Sequence, residues 1–264
     1  MLSPWRVLIP LVAATAALGT GPASAQSDVE AQANNPLADM RALAFQNYYV
    51  GDLTGSDTDA NQFILRYAQP FSAFGGNWLM RASLPINNVP TNDGHASGLG
   101  DLNILAAYLF DTGSPDISFG FGPQFTLPTS TSDETGSRKW SLGAANVLFN
   151  ASSKKVQWGY LLTWQHSVAG SSDQPEVNVG AFQPFVFYQL GEGWYLRSTG
   201  IWTYNFESSS YAMPVGFGLG KTIKIDDIVA NIFVEPQYSI ATGGNNQQEW
   251  TIYGGINFQF KSKK

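Results

Sequence analysis

Apolar and polar residues alternate along most of this chain with the period of a β-strand. The alternation comes in about twelve segments, each on the order of ten residues long. Ile228–Ile240 shows it most cleanly. Ile228, Ala230, Ile232, Val234, Pro236, Tyr238 and Ile240 share one parity, while Asn231, Glu235, Gln237 and Ser239 take the other. Successive side chains of a strand point to opposite faces, so one face of this segment is apolar and the other polar. Ile117–Leu127 repeats the pattern, with Phe119, Phe121, Pro123 and Phe125 against Ser118, Gly120, Gly122, Gln124 and Thr126. A soluble sandwich would bury the apolar face. A closed membrane barrel would turn it to lipid and line its lumen with the polar one.

The segments predict strands at Met40–Val50, Asn61–Pro70, Trp78–Ile86, Gly100–Phe110, Ile117–Leu127 and Lys139–Phe149. They continue at Val156–Ser167, Val177–Gln189, Trp194–Phe206, Tyr211–Gly220, Ile228–Ile240 and Glu249–Phe260. Within Lys139–Phe149 the parity breaks around Ala145–Val147. The connections alternate between short turns and mostly longer loops, the longest predicted over Asn87–Ser97 and Thr129–Arg138. An even strand number puts both chain ends on one side, together with the short turns. Charge divides the same way. The long loops hold Asp52, Asp57, Asp59, Asp93, Asp133, Glu134, Asp173, Glu176, Glu207 and Glu249, whereas the short turns and tail hold every lysine but Lys139. A sandwich has no reason to sort its connections by length and charge. The predicted fold is therefore all-β: a closed antiparallel transmembrane barrel of about twelve strands, wound as an up-and-down meander.

Composition agrees with one face in lipid. Charged residues are 13% of the chain, about half the ordinary share, and aromatics are 14%. Mean hydropathy is nonetheless only −0.11. Trp78, Trp140, Trp158, Trp164, Trp194 and Trp250 fall near predicted strand ends, where amphipathic rings settle at headgroup depth. Residues 1–25 read as a cleaved secretory signal, with Arg6, an apolar Val7–Leu18 run and Ala23-Ser24-Ala25 at the cleavage site. Residues 26–39 read as a flexible periplasmic arm, 40–260 as the barrel and 261–264 as a basic tail. With no cysteine, disulfides and thiolate metal sites are excluded.

The last strand, Tyr253-Gly254-Gly255-Ile256-Asn257-Phe258-Gln259-Phe260, resembles the C-terminal sorting signal of bacterial outer-membrane barrels. The match is Tyr253, Gly255, and the alternate aromatics Phe258 and Phe260, and it implies reading by the barrel-assembly machinery. The chain departs from the pattern by adding Lys261-Ser262-Lys263-Lys264. More narrowly, it resembles the meta-pathway phenol-degradation family of outer-membrane transporter-like barrels. Ser97-Gly98-Leu99-Gly100-Asp101-Leu102, Gly122-Pro123-Gln124-Phe125-Thr126-Leu127-Pro128-Thr129 and Lys139-Trp140-Ser141-Leu142-Gly143 carry that likeness, with Glu235-Pro236-Gln237-Tyr238 a weaker fourth stretch. It implies an outer-membrane channel or transporter for small hydrophobic or aromatic compounds.

Catalytic and metal chemistry find little footing. Outer-membrane lipid hydrolases place His and Ser two apart on one strand face, but His166 and Ser167 are adjacent and point to opposite faces. His95 lies in a Gly-rich loop, a poor scaffold for a triad with Asp93 and Ser97. Asp52, Asp57 and Asp59 fit no EF-hand spacing and read as an acidic loop facing lipopolysaccharide and its divalent ions. No cofactor, metal or nucleic-acid motif appears. The lumen carries the sharper expectation. If apolar parity faces lipid, Arg66, Arg81, Asp101, Arg197 and Glu235 point inward, among Asn103, Gln124, Thr163, Thr199, Thr203 and Asn205 as neutral polar lining. The arginines then either pair with Asp101 and Glu235 in a plugged interior or line a solute pathway, with Arg81 and Arg197 setting selectivity. The expected function is passive passage of small solutes across the bacterial outer membrane. A non-conducting surface-binding barrel and a lipid hydrolase are the alternatives.

Overall fold

The computed structural model describes residues 33–261. The signal segment and the end of the tail lie outside them. Twelve antiparallel strands run in meander order and close by pairing the last with the first. They are β1 (Met40–Leu53), β2 (Ala60–Ala73), β3 (Gly76–Thr91), β4 (Gly94–Leu99 and Leu102–Phe110), β5 (Ile117–Leu127) and β6 (Lys139–Asn150). Then follow β7 (Val156–Gly170), β8 (Asn178–Gly191), β9 (Trp194–Ser198 and Trp202–Asn205), β10 (Tyr211–Gly216 and Gly218–Ile225), β11 (Ile228–Gly243) and β12 (Gln248–Lys261). Closure runs from Met40 opposite Lys261 to Leu53 opposite Gln248, so neither edge is left open. In a bilayer this matters, because no water reaches a free strand edge to satisfy its N–H and C=O groups.

The alternation behaves as the pattern of residues predicts on the outer face. On β11, Ile232, Val234, Tyr238 and Ile240 are exposed, while Asn231, Phe233, Glu235, Gln237 and Ser239 are buried. Two expectations change. The predicted loop Asn87–Ser97 is mostly a paired hairpin, with Asn87 opposite Gly98 and Val89 opposite Ala96. Asn87-Asn88 and Pro90 conceal the strand, since such residues disfavour sheets except at an edge or beyond the membrane. The apparent parity break in β6 is not a break in the strand either. Ser141, Ala145, Val147 and Phe149 are all buried on one inward row. The inward face itself becomes apolar there.

That row belongs to a packed interior at the end of the short turns. Phe149, Ala151, Phe185, Phe187 and Tyr195 form one cluster, with Leu161 against it. Leu105, Ala107 and Ala145 form a neighbouring one. Into the same end runs the first part of the described chain. Leu37 packs on Leu79 and Val147. Ala33 accepts from Asn231 Nδ2 (3.4 Å) and Gln259 Nε2 (3.2 Å), and Asn35 Nδ2 donates to Ser118 Oγ (3.1 Å). The described part of the expected periplasmic arm, 33–39, is thus seated inside the barrel mouth. Its Leu37 is an apolar anchor, and its Asn34 and Asn35 bond the inward polar side chains of Asn231 and Ser118.

Gly122 shows how tightly β4 and β5 pack where their pairing lapses, in constant register, between the Leu105–Gln124 and Tyr108–Phe121 pairs. A Cβ built there would lie 1.9 Å from the Ala106 carbonyl oxygen and 3.0 Å from Ala107 Cα. We expect Gly122→Val to lower stability by about 1–3 kcal/mol or more, as overpacking against backbone does. Urea unfolding followed by tryptophan fluorescence measures this, and loss of heat-modifiable migration on a gel would mark outright failure to fold.

Candidate functional site: a layered lumen

The middle of the lumen is set by one lapse in the wall. Residue pairing between β9 and β10 stops at Arg197–Gly218 and resumes at Thr203–Ala212. On the other side of β9, pairing with β8 stops at Ser198–Val186 and resumes at Trp202–Phe182. Thr199, Gly200 and Ile201 therefore have no ladder partner on either side. Pro214, facing them on β10, has no N–H to offer. The carboxylate of Glu235 takes over. Its Oε1 accepts from the Thr199 backbone N–H (2.7 Å) and Gln237 Nε2 (2.9 Å), and its Oε2 accepts from Arg197 Nε and Thr199 Oγ1 (both 2.7 Å). Gln183 Nε2 donates to the Thr199 carbonyl (3.0 Å), and Trp202 Nε1 to that of Pro214 (3.1 Å). Glu235 is fully buried, and Gly216 and Gly218 leave the space it occupies.

Of the inward charges predicted from parity, Arg197 and Glu235 are thus brought together, with the Arg197 guanidinium 3.6 Å from the Phe233 ring centre. Arg66 and Arg81 also line the lumen, on neighbouring strands. Arg66 stands opposite Ser83 and Arg81 opposite Ala68, which makes the two diagonal neighbours on one face. Arg66 donates to Gln46 Oε1, and Gln46 Nε2 donates to Asn257 Oδ1 (2.9 Å). Among the described residues no carboxylate pairs with either arginine. Tyr253, read in the sequence as part of a sorting signal, points inward and stacks on Tyr48 at 4.1 Å. Phe258 takes the outward parity and meets Phe45 edge-on. Phe260 shares that parity. Gly255 lets the Phe45 carbonyl and Gln46 side chain approach β12.

Asp101 does a different job. It sits at the interruption of β4, where its carboxylate accepts from the Ser137 N–H (2.6 Å), Ser137 Oγ (2.7 Å), the Ser130 N–H (3.1 Å) and the Arg138 N–H (3.2 Å). It fastens the β5–β6 loop rather than facing the arginines. That loop folds back over the barrel: Asn87 Nδ2 donates to the Thr135 carbonyl (2.7 Å), and Thr135 is buried. Asn205 likewise caps a turn, its Oδ1 accepting from the N–H groups of Glu207 and Ser208. Both residues have short polar side chains at strand interruptions or ends, and such side chains bond local backbone when it is free.

Two cavities follow. An inner one of about 210 Å³ is lined by Leu79, Leu105, Val147, Leu161, Phe185 and Phe187, together with Arg66, Arg81 and Arg197, and is floored by the 33–38 segment. An outer one of about 380 Å³ has a mixed lining, Asn61, Gln62, Asn87, Thr203, Gln237 and Gln247 standing among Val50, Leu53, Ile64, Val89 and Ile201. Arg66 lines both. Gln124 and Thr126 donate to Gln165 Oε1 (3.1 and 2.8 Å), and Asn103 Nδ2 donates to Thr126 Oγ1 (3.0 Å). Gln165 was not singled out in the sequence because its neighbours Trp164 and His166 dominate that stretch. Thr163 takes the same inward parity. The closed barrel fold is shared with solved structures. An outer-membrane channel from Pseudomonas putida F1 superposes with a TM-score of 0.65 at 13% identity, covering 84% of this chain and 94% of that one. The NanC porin gives 0.54 at 12% identity, over 84% of this chain and 100% of the porin. The fold is that of outer-membrane channels.

No protein-family model and no curated protein sequence matches the chain. The outer face carries the aromatics that such a fold needs at two depths. Trp78, Trp158 and Trp194 begin strands after short turns, while Trp140, Trp164 and Trp250 lie near the long-loop ends. Trp78 Nε1 donates to the Ala73 carbonyl (3.0 Å) and Trp164 Nε1 to Asn178 Oδ1 (3.1 Å), so the polar atoms of these rings are satisfied. His166 and Ser167 do separate to opposite faces: His166 lies parallel to Trp164, and Ser167 Oγ donates to Glu176.

Two predictions follow from these contacts. Glu235→Ala removes the acceptor for a buried guanidinium and an unpaired backbone N–H. We expect a loss of about 3–5 kcal/mol in urea unfolding, the usual cost of orphaning one half of a buried pair. The second concerns the β7–β8 loop, where Lys139 Nζ (2.8 Å) and Ser167 hold the Glu176 carboxyl below the ordinary carboxylate range. A lowered folded-state pKa gives a contribution that is complete above the unfolded value and lost as pH falls through the folded one. Protease sensitivity of 171–177 should therefore be constant at neutral pH and rise only below the usual carboxylate range. Glu176→Gln should be sensitive at all pH values.

Proposed function

We propose that the protein is a passive channel of the bacterial outer membrane for small organic solutes, aromatic and hydrophobic compounds among them, and not an enzyme. One observation carries this reading: two cavities of mixed polar and apolar lining are both built from inward side chains and meet at Arg66. A solute entering from the long-loop side would pass amides and aliphatic side chains such as Leu53 and Ile64, and then reach the arginines beside Leu and Phe side chains. The outward apolar band, the two tryptophan levels and the shared channel fold support the outer membrane as its location. Export by a cleaved signal and insertion by the barrel-assembly machinery would bring it there, and the acidic long loops would face lipopolysaccharide. Arg66 and Arg81 would set the selectivity. Arg197, proposed from sequence parity, has its charge offset by Glu235.

In this reading the 33–39 segment is the stopper of the resting channel. Leu37 and the Asn34–Asn231 bond (2.9 Å) hold it. Planar-bilayer recording tests the proposal directly. Wild type should give small unitary currents, and deletion of residues 33–39 should raise conductance several-fold with a preference for anions. Absence of current from both proteins, each shown to be folded by heat-modifiable migration, would sink the channel and favour a closed, surface-binding barrel.

A further inference from the structure

The arginine layer contains a set of polar atoms that nothing in the described chain satisfies. Arg66 Nε, Arg81 Nε and Ser83 Oγ are all buried without a hydrogen-bond partner. They belong to one patch of wall. Ser83 is directly opposite Arg66 in the β2–β3 register, and Arg81 is the diagonal neighbour of Arg66. Every one of these groups can donate, and both guanidinium groups can do nothing else. Buried polar groups in folded proteins are almost always paired, so a concentrated exception calls for an external acceptor. The fully buried carboxylate of this layer, Glu235, is already committed to Arg197, Thr199 and Gln237.

We propose that Arg66 and Arg81 form a carboxylate-binding site, with Ser83 beside them as a supporting donor, and that its ligands are small amphipathic monocarboxylates. The proposal rests on the lumen being a solute path and adds the substrate class. Two diagonal guanidinium groups offer the planar forks that a carboxylate accepts in bidentate fashion, which a spherical ion cannot exploit. The rest of the ligand is read from the neighbouring wall. Leu79 lies two residues from Arg81 on the same face, and Leu105 stands directly opposite Arg81 on β4. Leu161 and Phe185 complete an apolar side of the same cavity. At about 210 Å³ it exceeds the roughly 150 Å³ that accommodates one benzene ring. The site thus fits a charged head on the arginines and a single ring or short hydrocarbon body on the leucines.

Equilibrium binding to the full-length protein in detergent micelles tests this without requiring conduction. Benzoate is titrated calorimetrically against wild type, and benzyl alcohol serves as the uncharged ring of similar size. We expect benzoate to bind at least tenfold more tightly than benzyl alcohol. Arg66→Gln with Arg81→Gln should abolish that preference, and Arg66→Lys with Arg81→Lys should keep part of it. Equal binding of the two ligands by wild type would overturn the proposal, as would undiminished benzoate binding by the folded double glutamine variant. Displacement of benzoate by equimolar chloride would overturn the ligand class. The wild-type comparisons decide the matter even if a variant fails to fold. A barrel that binds benzoate yet passes no current would count against the channel alone.

Discussion

A membrane barrel stands on the complete pairing of its backbone, because hydrocarbon offers no substitute partner for an N–H or C=O. Here one strand loses its ladder partners on both sides at Thr199–Ile201, and a single carboxylate takes the freed Thr199 N–H. Much of the lumen's character follows. A charge that replaces backbone bonds has to be buried, a buried charge needs a counter-ion, and Arg197 supplies it. The glycines at 216 and 218 are then required on β10, since any side chain there would occupy the space of Glu235. The Phe233 ring, against the guanidinium face, packs on Tyr253, which in turn stacks on Tyr48. One interruption of the wall therefore organises a whole layer across the interior.

The layer separates two cavities of the lumen. On the short-turn side the interior is a packed apolar core, closed by Leu37 and its neighbours. On the long-loop side amides stand among aliphatic side chains such as Leu53 and Ile64, with the β5–β6 loop held by Asp101 and Asn87. Both regions offer a solute hydrogen bonds as well as dispersion contacts, and the inner one adds the Phe185 and Phe187 rings. Arg66 lines both cavities and Arg81 the inner one, and they are the cations in that layer that no carboxylate of the described chain offsets.

Several elements were legible in the residues alone because they obey a local rule. The outward rows of β5 and β11, the even strand number and the placement of tryptophans follow from period two and from the cost of polar atoms in lipid. The inward direction of Arg66, Arg81, Arg197 and Glu235 follows from the same parity. Asp101 and Asn205 show the limit of parity, since each sits where the strand stops and spends its oxygens on nearby N–H groups. The β3–β4 hairpin was obscured by Asn87-Asn88 and Pro90, which read as loop. Val147, Phe149, Phe185 and Phe187 gave no sign of pointing inward, because apolar residues on both parities look alike to a periodicity argument.

By itself, then, the order of residues determined which face of each strand meets lipid, how many strands there are and that they close. Those properties repeat at every second position and need no knowledge of what lies across the barrel. Only the tertiary structure decided which inward charges find each other. Arg197 meets Glu235 from 38 residues away because the wall lapses beside them, while Arg66 and Arg81 face a lumen that holds no carboxylate of the described chain for them. The same is true of residues 33–39, whose polar composition reads as an arm in water until Asn231, Ser118, Leu79 and Val147 are seen converging on them. Partners across a closed barrel are set by strand register and curvature, and neither is written in the alternation of a single strand.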